Sequence, residues 1–255
     1  MAPLSPSSVL VTGSNRGLGL EFIKQLLQLP QPPQMLFATC RNPSGAQELQ
    51  ELAAQHSNVR ILPLDLENIA SIQEAFLSVT DQLKGLGLNL LINNAGRAIS
   101  GSILSETEEN MHLLYQIHVS GNLKISQTFL PLLKKAAQTG PQDGLSCSRA
   151  AIINISSTAG SMTELLAWEF GHCVSYRCSK AALNMLSRCL GLALKEEGIL
   201  CAAIHPGWVQ TDMGGYYKSQ LKKEESVKGM LKIFSTLSEE NAGGFYSWEG
   251  KALSW

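Results

Sequence analysis

No run of apolar residues in this chain approaches the ~20 needed to span a bilayer. Met1 to Ser8 lack the basic start and apolar stretch of a secretory signal, and Leu253-Ser254-Trp255 spell no peroxisomal address. Six cysteines, at 40, 147, 173, 178, 189 and 201, show no C-x-x-C pairing, which argues against a disulfide frame. None of the five histidines falls at a ligand-like spacing from cysteine or glutamate, so no metal is expected. Charge is scarce as well. Charged residues make up 16% of the 255, and the net charge of -1 gives no electrostatic reason to expect nucleic acid or an anionic membrane as partner. What these absences leave is a globular protein with reduced thiols, expected in the cytoplasm.

What is present is a hydrophobic fraction of 44%, arranged as short apolar runs alternating with longer amphipathic stretches. The runs predict strands over residues 8–12, 35–40, 59–64, 88–92, 151–155, 200–204 and 245–248. The 3.6-residue period predicts helices over 18–29, 46–56, 69–84, 107–133, 176–194 and 226–237. Continuous Val/Ile/Leu/Ala runs are buried on both faces, as in a parallel sheet covered by helices. The expected fold is therefore α/β: one Rossmann-like, doubly wound parallel sheet with helices on both faces, a single domain over residues 1–255. Residues 138–149 read as a surface loop. Residues 160–175 and 211–225 leave the carboxyl edge of the sheet, where ligands bind in such folds.

Val9-Leu10-Val11-Thr12 runs into Gly13-Ser14-Asn15-Arg16-Gly17-Leu18-Gly19 and then a helical pattern. Such a turn lets backbone approach a pyrophosphate, and the helix start offers free N–H groups. No Lys-Ser/Thr pair follows the glycines, which excludes a Walker loop. The second strand runs out as Thr39-Cys40-Arg41-Asn42, without the carboxylate that would hold a ribose 2′-hydroxyl. Arg41, with Arg16, suits a 2′-phosphate instead, which predicts NADP(H).

Tyr176-Arg177-Cys178-Ser179-Lys180 places a phenol and an ammonium on one helical face. A cation ~4 Å away at an effective dielectric of ~20 favours the phenolate by ~4 kcal/mol before desolvation opposes it. Tyr176 then becomes a candidate general acid. Ser157, just past the fifth strand, can hydrogen-bond a carbonyl oxygen at the same edge, with Ser156 as the competing candidate.

Thr12-Gly13-x-x-x-Gly17-x-Gly19, Asn93-Asn94-Ala95-Gly96, Ser157, Tyr176-x-x-x-Lys180 and Pro206-Gly207 follow one another in the order of the short-chain dehydrogenases/reductases. Within that superfamily the chain resembles the sniffer-type carbonyl reductases and C-factor-like proteins. Leu29-Pro30-Gln31-Pro32-Pro33-Gln34, Ala38-Thr39-Cys40-Arg41 and the stretch from His205 to Gly215 carry that likeness. The resemblance implies that Asp65 and Leu66 contact adenine and that Asn93, Asn94, Ala95 and Gly96 line the adenosine side. Pro206, Gly207, Val209 and Thr211 would lie along the nicotinamide. Lys180 would hold ribose hydroxyls while polarising Tyr176.

The resemblance also exposes a departure. His118 stands where the family usually has a relay asparagine. It is expected either to hold a relay water through its ring, altering the pH profile, or to pack and bond locally. Ser157 and Tyr176 are also further apart in sequence than is common, and the added residues contain Trp168 and Phe170. With Trp208 and Tyr216 or Tyr217, these aromatics are expected to line an apolar substrate pocket. The expected activity is hydride transfer to a small-molecule carbonyl (ketone, aldehyde or quinone), with a homodimer implied by the way relatives pair. Two rivals stand beside it: a cofactor-binding sensor with little turnover, and, less favoured, sugar-nucleotide epimerisation.

Overall fold

A single face-to-face alternation organises the structure. Along β1 (Ser8–Thr12), Val9 and Val11 pack into one hydrophobic cluster and Leu10 into another on the opposite side. The same split recurs in β2 (Met35–Cys40), β4 (Leu90–Asn93), β5 (Ala151–Ile155) and β6 (Leu200–His205). Period-two side chains buried on both sides define a sheet sandwiched between helices. The computed structural model describes residues 3–140, 144–165, 168–214, 219 and 221–255.

β3 (Val59–Pro63) and β7 (Phe245–Ser247) complete a seven-stranded sheet of order β3-β2-β1-β4-β5-β6-β7, parallel at every pairing. One cluster joins the sheet to α1 (Gly17–Leu27), α2 (Gln47–Gln55) and α7 (Lys223–Phe234). The other joins it to α3 (Ile69–Leu83), α5 (Gly121–Thr139) and α6 (Val174–Leu194). This is a doubly wound Rossmann-like fold. The strand order reverses between β1 and β4, so the crevice beyond their carboxyl ends is where a ligand belongs. Among the described residues no helix is long and apolar enough to cross a membrane.

The expected helix over 107–133 is differently built. It runs from α4 (Glu108–Tyr115) through a π-helical turn at Gln116–Ser120 into α5, continuing past Pro131 to Thr139. Hydrophobic period cannot register a π turn, which widens the ladder by one residue while leaving the apolar stripe nearly in place. The side-chain amide of Asn122 donates to the His118 carbonyl (2.9 Å) inside that wider turn. The remaining strands and helices match their expected positions within three residues at each end, as fraying and caps dictate.

Phe129, fully buried on α5, meets Phe76 of α3 edge to face with ring centroids 5.6 Å apart. Phe129→Ala is expected to lower unfolding free energy by about 3–5 kcal/mol, read as a lower urea midpoint at unchanged slope.

Candidate active site

The glycine turn is shaped by what a Cβ would strike. Gly13 has φ +68°, and a Cβ there would lie 2.9 Å from the Cα of Ala95; at Gly19 it would lie 2.1 Å from the Gly13 carbonyl oxygen. Ser14 is buried, donating through its hydroxyl to the Val11 carbonyl (2.7 Å), so it braces the turn from behind. Asn15 and Arg16 are exposed. No side chain caps the start of α1, whose first-turn N–H groups face the crevice end of the sheet. These features fit a dinucleotide pyrophosphate.

Thr12 ties this turn to the end of β4. Its hydroxyl accepts from the N–H groups of Asn94 and Ala95, both at 3.0 Å. The amide of Asn94 donates to the carbonyls of Thr12 (2.9 Å) and Gly13 (3.2 Å). Asn93 is buried and donates to Asn154 on β5 (2.8 Å), so it faces the neighbouring strand. Leu66 is buried beside Asp65, whose carboxylate accepts from Glu67 N–H (3.0 Å). On the other flank Pro206 accepts from the Ser226 hydroxyl (2.6 Å) and Gly207 has φ +86°. Val209 is buried, and the methyl of Thr211 would stand 3.7 Å from a Cβ on Gly17. Thus the turn after β6 closes against the glycine turn.

Both arginines expected at the 2′-phosphate have carboxylate partners. Arg16 pairs with Asp212 (2.7 Å) and Arg41, more loosely, with Glu67 (3.9 Å). All four groups are partly or largely exposed, so these pairs are weak and exchangeable.

The catalytic candidates converge where β5 ends beside α6. Ser156 is buried, its hydroxyl donating to Asn184 Oδ1 (2.5 Å), while Ser157 caps a 3₁₀ turn at Thr158–Gly160 with its hydroxyl near enough to the Tyr176 phenol to favour its ionised form. Ser157, not its neighbour, faces the phenol. Lys180 is 5% exposed; its amine donates to the Ile155 carbonyl (2.9 Å) and sits 5.7 Å from the Tyr176 ring centre.

The electrostatics reverse one expectation. Burial raises the Tyr176 phenol above its usual range, outweighing the Ser157 hydrogen bond that lowers it. Burial also brings the Lys180 amine down to about 7. Above about pH 7 the amine is mostly neutral, so where the phenol titrates Lys180 exerts no Coulomb pull to make it more acidic.

His118 lies in the π-helical turn, fully buried. Its Nε2 accepts from the Arg97 N–H (3.1 Å), and an amide can only donate, so the neutral ring carries its proton on Nδ1. Nδ1 faces the Ser179 hydroxyl (2.8 Å), which donates to the Tyr176 carbonyl (2.8 Å). Both ring nitrogens are therefore taken by protein groups, so the grip on a relay water expected of them is not made by this ring. Burial, then the charge of Lys180, holds the imidazole well below its usual pKa.

Three residues here were missed from sequence. Ser179 links His118 to α6. His205, at the end of β6, accepts from Thr158 N–H (3.3 Å) and is held near 4 by burial and by Lys180. Glu106 accepts from Ser175 N–H (2.9 Å) at the start of α6, whose N-cap residue Cys173 has no capping side-chain bond. A strand-final histidine could have been flagged; the Glu106 contact spans 69 positions and has no local signal.

Among the aromatics, Trp168 stacks on His172 (4.3 Å) under the Arg177 guanidinium, and Trp208 donates to the Gly214 carbonyl (2.7 Å). Tyr216, Tyr217 and the side chain of Phe170 lie outside the described residues. A separate cleft of about 680 Å³ opens at the amino edge of the sheet. Its one titratable lining side chain, Arg149, is bonded to the carbonyls of Ala137 and Gly144. All six cysteines are free, and no cluster of three or more metal-ligating side chains occurs among the described residues.

The glycine turn, Ser157, Tyr176 and Lys180 thus lie together at one edge of a doubly wound sheet. Residues 7–222 match the short chain dehydrogenase family, and the chain belongs to it. It is 55% identical to an NADPH-bound carbonyl reductase from chicken fatty liver, with 99% of this chain and all of that one covered and a TM-score of 0.95. Carbonyl reductase Sniffer of Drosophila melanogaster is 41% identical, with 98% and 100% covered and a TM-score of 0.94. The C-signal protein of Myxococcus xanthus is 34% identical over 169 residues, 66% of this chain and 93% of that protein.

The Lys180 amine near 7 sets the sign of a stability effect. Between about pH 7 and 10.5 the unfolded lysine holds a proton that the folded one has lost, so folding gains stability as pH rises. Wild-type stability minus that of Lys180→Met, read from urea melts without cofactor, is expected to climb across that window and to be flat below it.

Proposed function

We propose that the protein is an NADP(H)-dependent reductase of small carbonyl compounds, with Tyr176 as general acid. The observation that carries this reading is the meeting of Ser157 and Tyr176 over a buried lysine at the edge of the glycine groove. When bound, the cofactor would supply the hydride. Gly13 to Gly19 would hold its pyrophosphate, Asp65 to Leu66 and Asn93 to Gly96 its adenosine half, and Pro206 to Thr211 its nicotinamide half. Arg41 and Arg16 would turn from Glu67 and Asp212 to the 2′-phosphate. Similarity to the NADPH-bound chicken enzyme supports that choice of dinucleotide.

The proton chemistry follows from burial. A phenol whose pKa is raised keeps its proton at neutral pH, the form a general acid needs. Ser157 and Tyr176 both offer hydroxyls to one carbonyl oxygen, and Tyr176 releases its proton as negative charge builds there. Lys180, near 7, is poised to gain and lose a proton at physiological pH and so to refill the phenol. His118 acts on position. As a neutral ring it ties the N–H of Arg97, just after the Asn93–Gly96 turn, to the helix that carries Tyr176. The aromatic loops would receive the apolar body of a ketone, aldehyde or quinone. A cytoplasmic setting and a homodimer belong to the same reading, the pairing supported by exposed Met111 and Tyr115 on α4 and Met185 and Leu192 on α6.

The C-signal likeness supports a second reading, a cofactor-binding signalling protein with little turnover. NADPH consumption over a panel of quinones, ketones and aldehydes separates the two. Turnover is expected, and Tyr176→Phe is expected to lower kcat by about 10²–10⁴ with NADPH still bound; tight NADPH binding with no oxidation above background would overturn the reductase. Arg41→Ala is expected to raise the NADPH Kd about tenfold or more while leaving NADH binding unchanged. Equal losses for both dinucleotides would remove Arg41 from the phosphate site.

A further inference from the structure

The segment that follows Ser157 is held at two points, by the end of β6 and by the chain beyond β7. At its start, Gly160 presses against α6: a Cβ there would lie 2.5 Å from the Lys180 carbonyl carbon and 2.7 Å from the Ala181 nitrogen. Thr158 donates to His205 at the end of β6. Further along, Thr163 gives two hydrogen bonds to one acceptor, its N–H (2.9 Å) and its hydroxyl (2.7 Å) both reaching the main-chain oxygen of Trp255.

Trp255 is itself anchored. Its ring stacks on Phe245 of β7 with centroids 5.6 Å apart, and Phe245 is 2% exposed. Leu253 N–H donates to the Phe245 carbonyl (2.9 Å), and Ala252 bridges Tyr246. A chain of contacts therefore runs from the edge strand through Trp255 and Thr163 to within six residues of Ser157. On either side of Thr163, Met162 is 76% and Leu165 57% exposed, apolar side chains beside the carboxyl edge.

We infer that Trp255 and Thr163 are positioning residues for substrate selection: their paired hydrogen bonds hold residues 161–165 in place, so that Met162 and Leu165 form a rim that favours bulky apolar carbonyl compounds. Two bonds to one oxygen fix orientation as well as distance, which a single bond to a long irregular segment does not. Neither residue needs to touch the reacting atoms. The selection of substrate rests on the reductase reading above; the brace itself does not.

The test uses Thr163→Val, Trp255→Ala, Trp255→Phe and the Thr163→Val/Trp255→Ala double variant of the full chain. Each is assayed with NADPH on a compact diketone, 2,3-butanedione, and a bulky quinone, phenanthrene-9,10-quinone. Thr163→Val and Trp255→Ala are expected to raise KM for the quinone about three- to tenfold, with kcat, the butanedione KM and the NADPH Kd within about twofold. Trp255→Phe, which keeps a stacked ring, is expected to restore the wild-type value, and the double variant to be no worse than the worse single one. Equal changes for both substrates, additive losses, or no change in either single variant would overturn the inference. Amide hydrogen exchange over residues 157–163, read without substrate, judges the brace apart from catalysis. Faster exchange in Trp255→Ala with wild-type rates in Trp255→Phe is expected, and unchanged exchange in Trp255→Ala would overturn it. A wild type that oxidises no NADPH with either compound would instead sink the reductase reading.

Discussion

Lys180 has almost no contact with water, and its amine donates to the last carbonyl of β5. Taking an ammonium out of water is expensive, and no carboxylate stands beside it among the described residues to offset that cost. The amine yields, losing its proton near 7. The same withdrawal from water acts on its neighbours at the carboxyl edge. The phenol one helical turn earlier keeps its proton, and the imidazoles of His118 and His205 are both disfavoured as cations by burial and by Lys180. Burial thus keeps the phenol protonated and the two imidazoles neutral, and Lys180 adds to its effect only at the imidazoles.

Polar side chains around that site pair across elements. Thr12 stitches β1 to the chain after β4, Asn93 reaches Asn154 across to β5, and Asn154 reaches Ser187 on α6 (2.8 Å). His118 and Ser179 then join the π turn to α6, and Glu106 caps that helix from outside. Each link crosses between elements, so Tyr176 is held by the packing of several strands and helices together.

Legibility of these features in the sequence varied for physical reasons. Strands buried on both faces declare themselves as apolar runs, and the Gly13–Gly19 turn declares itself between a run and a helical period. The sequence favoured Ser157 over Ser156 without excluding the exchange, because side chains alternate across a strand end and one residue of slip swaps them. The sign of the Tyr176 shift went the other way from the Coulomb argument, since proximity along a helix is visible in sequence while depth of burial is not. The carboxylates that engage Arg16 and Arg41 were hidden because they lie far along the chain: Asp212 is 196 positions from Arg16.

Local order alone therefore determined the parallel sheet, the phosphate-type turn and the pairing of Tyr176 with Lys180 on one helical face, because periodicity and i,i+4 geometry act over a few residues. Tertiary structure decided which serine meets the phenol, where His118 spends its two nitrogens and which groups carry charge. Those outcomes depend on desolvation and on contacts between residues tens of positions apart, and neither is encoded in any short stretch of chain.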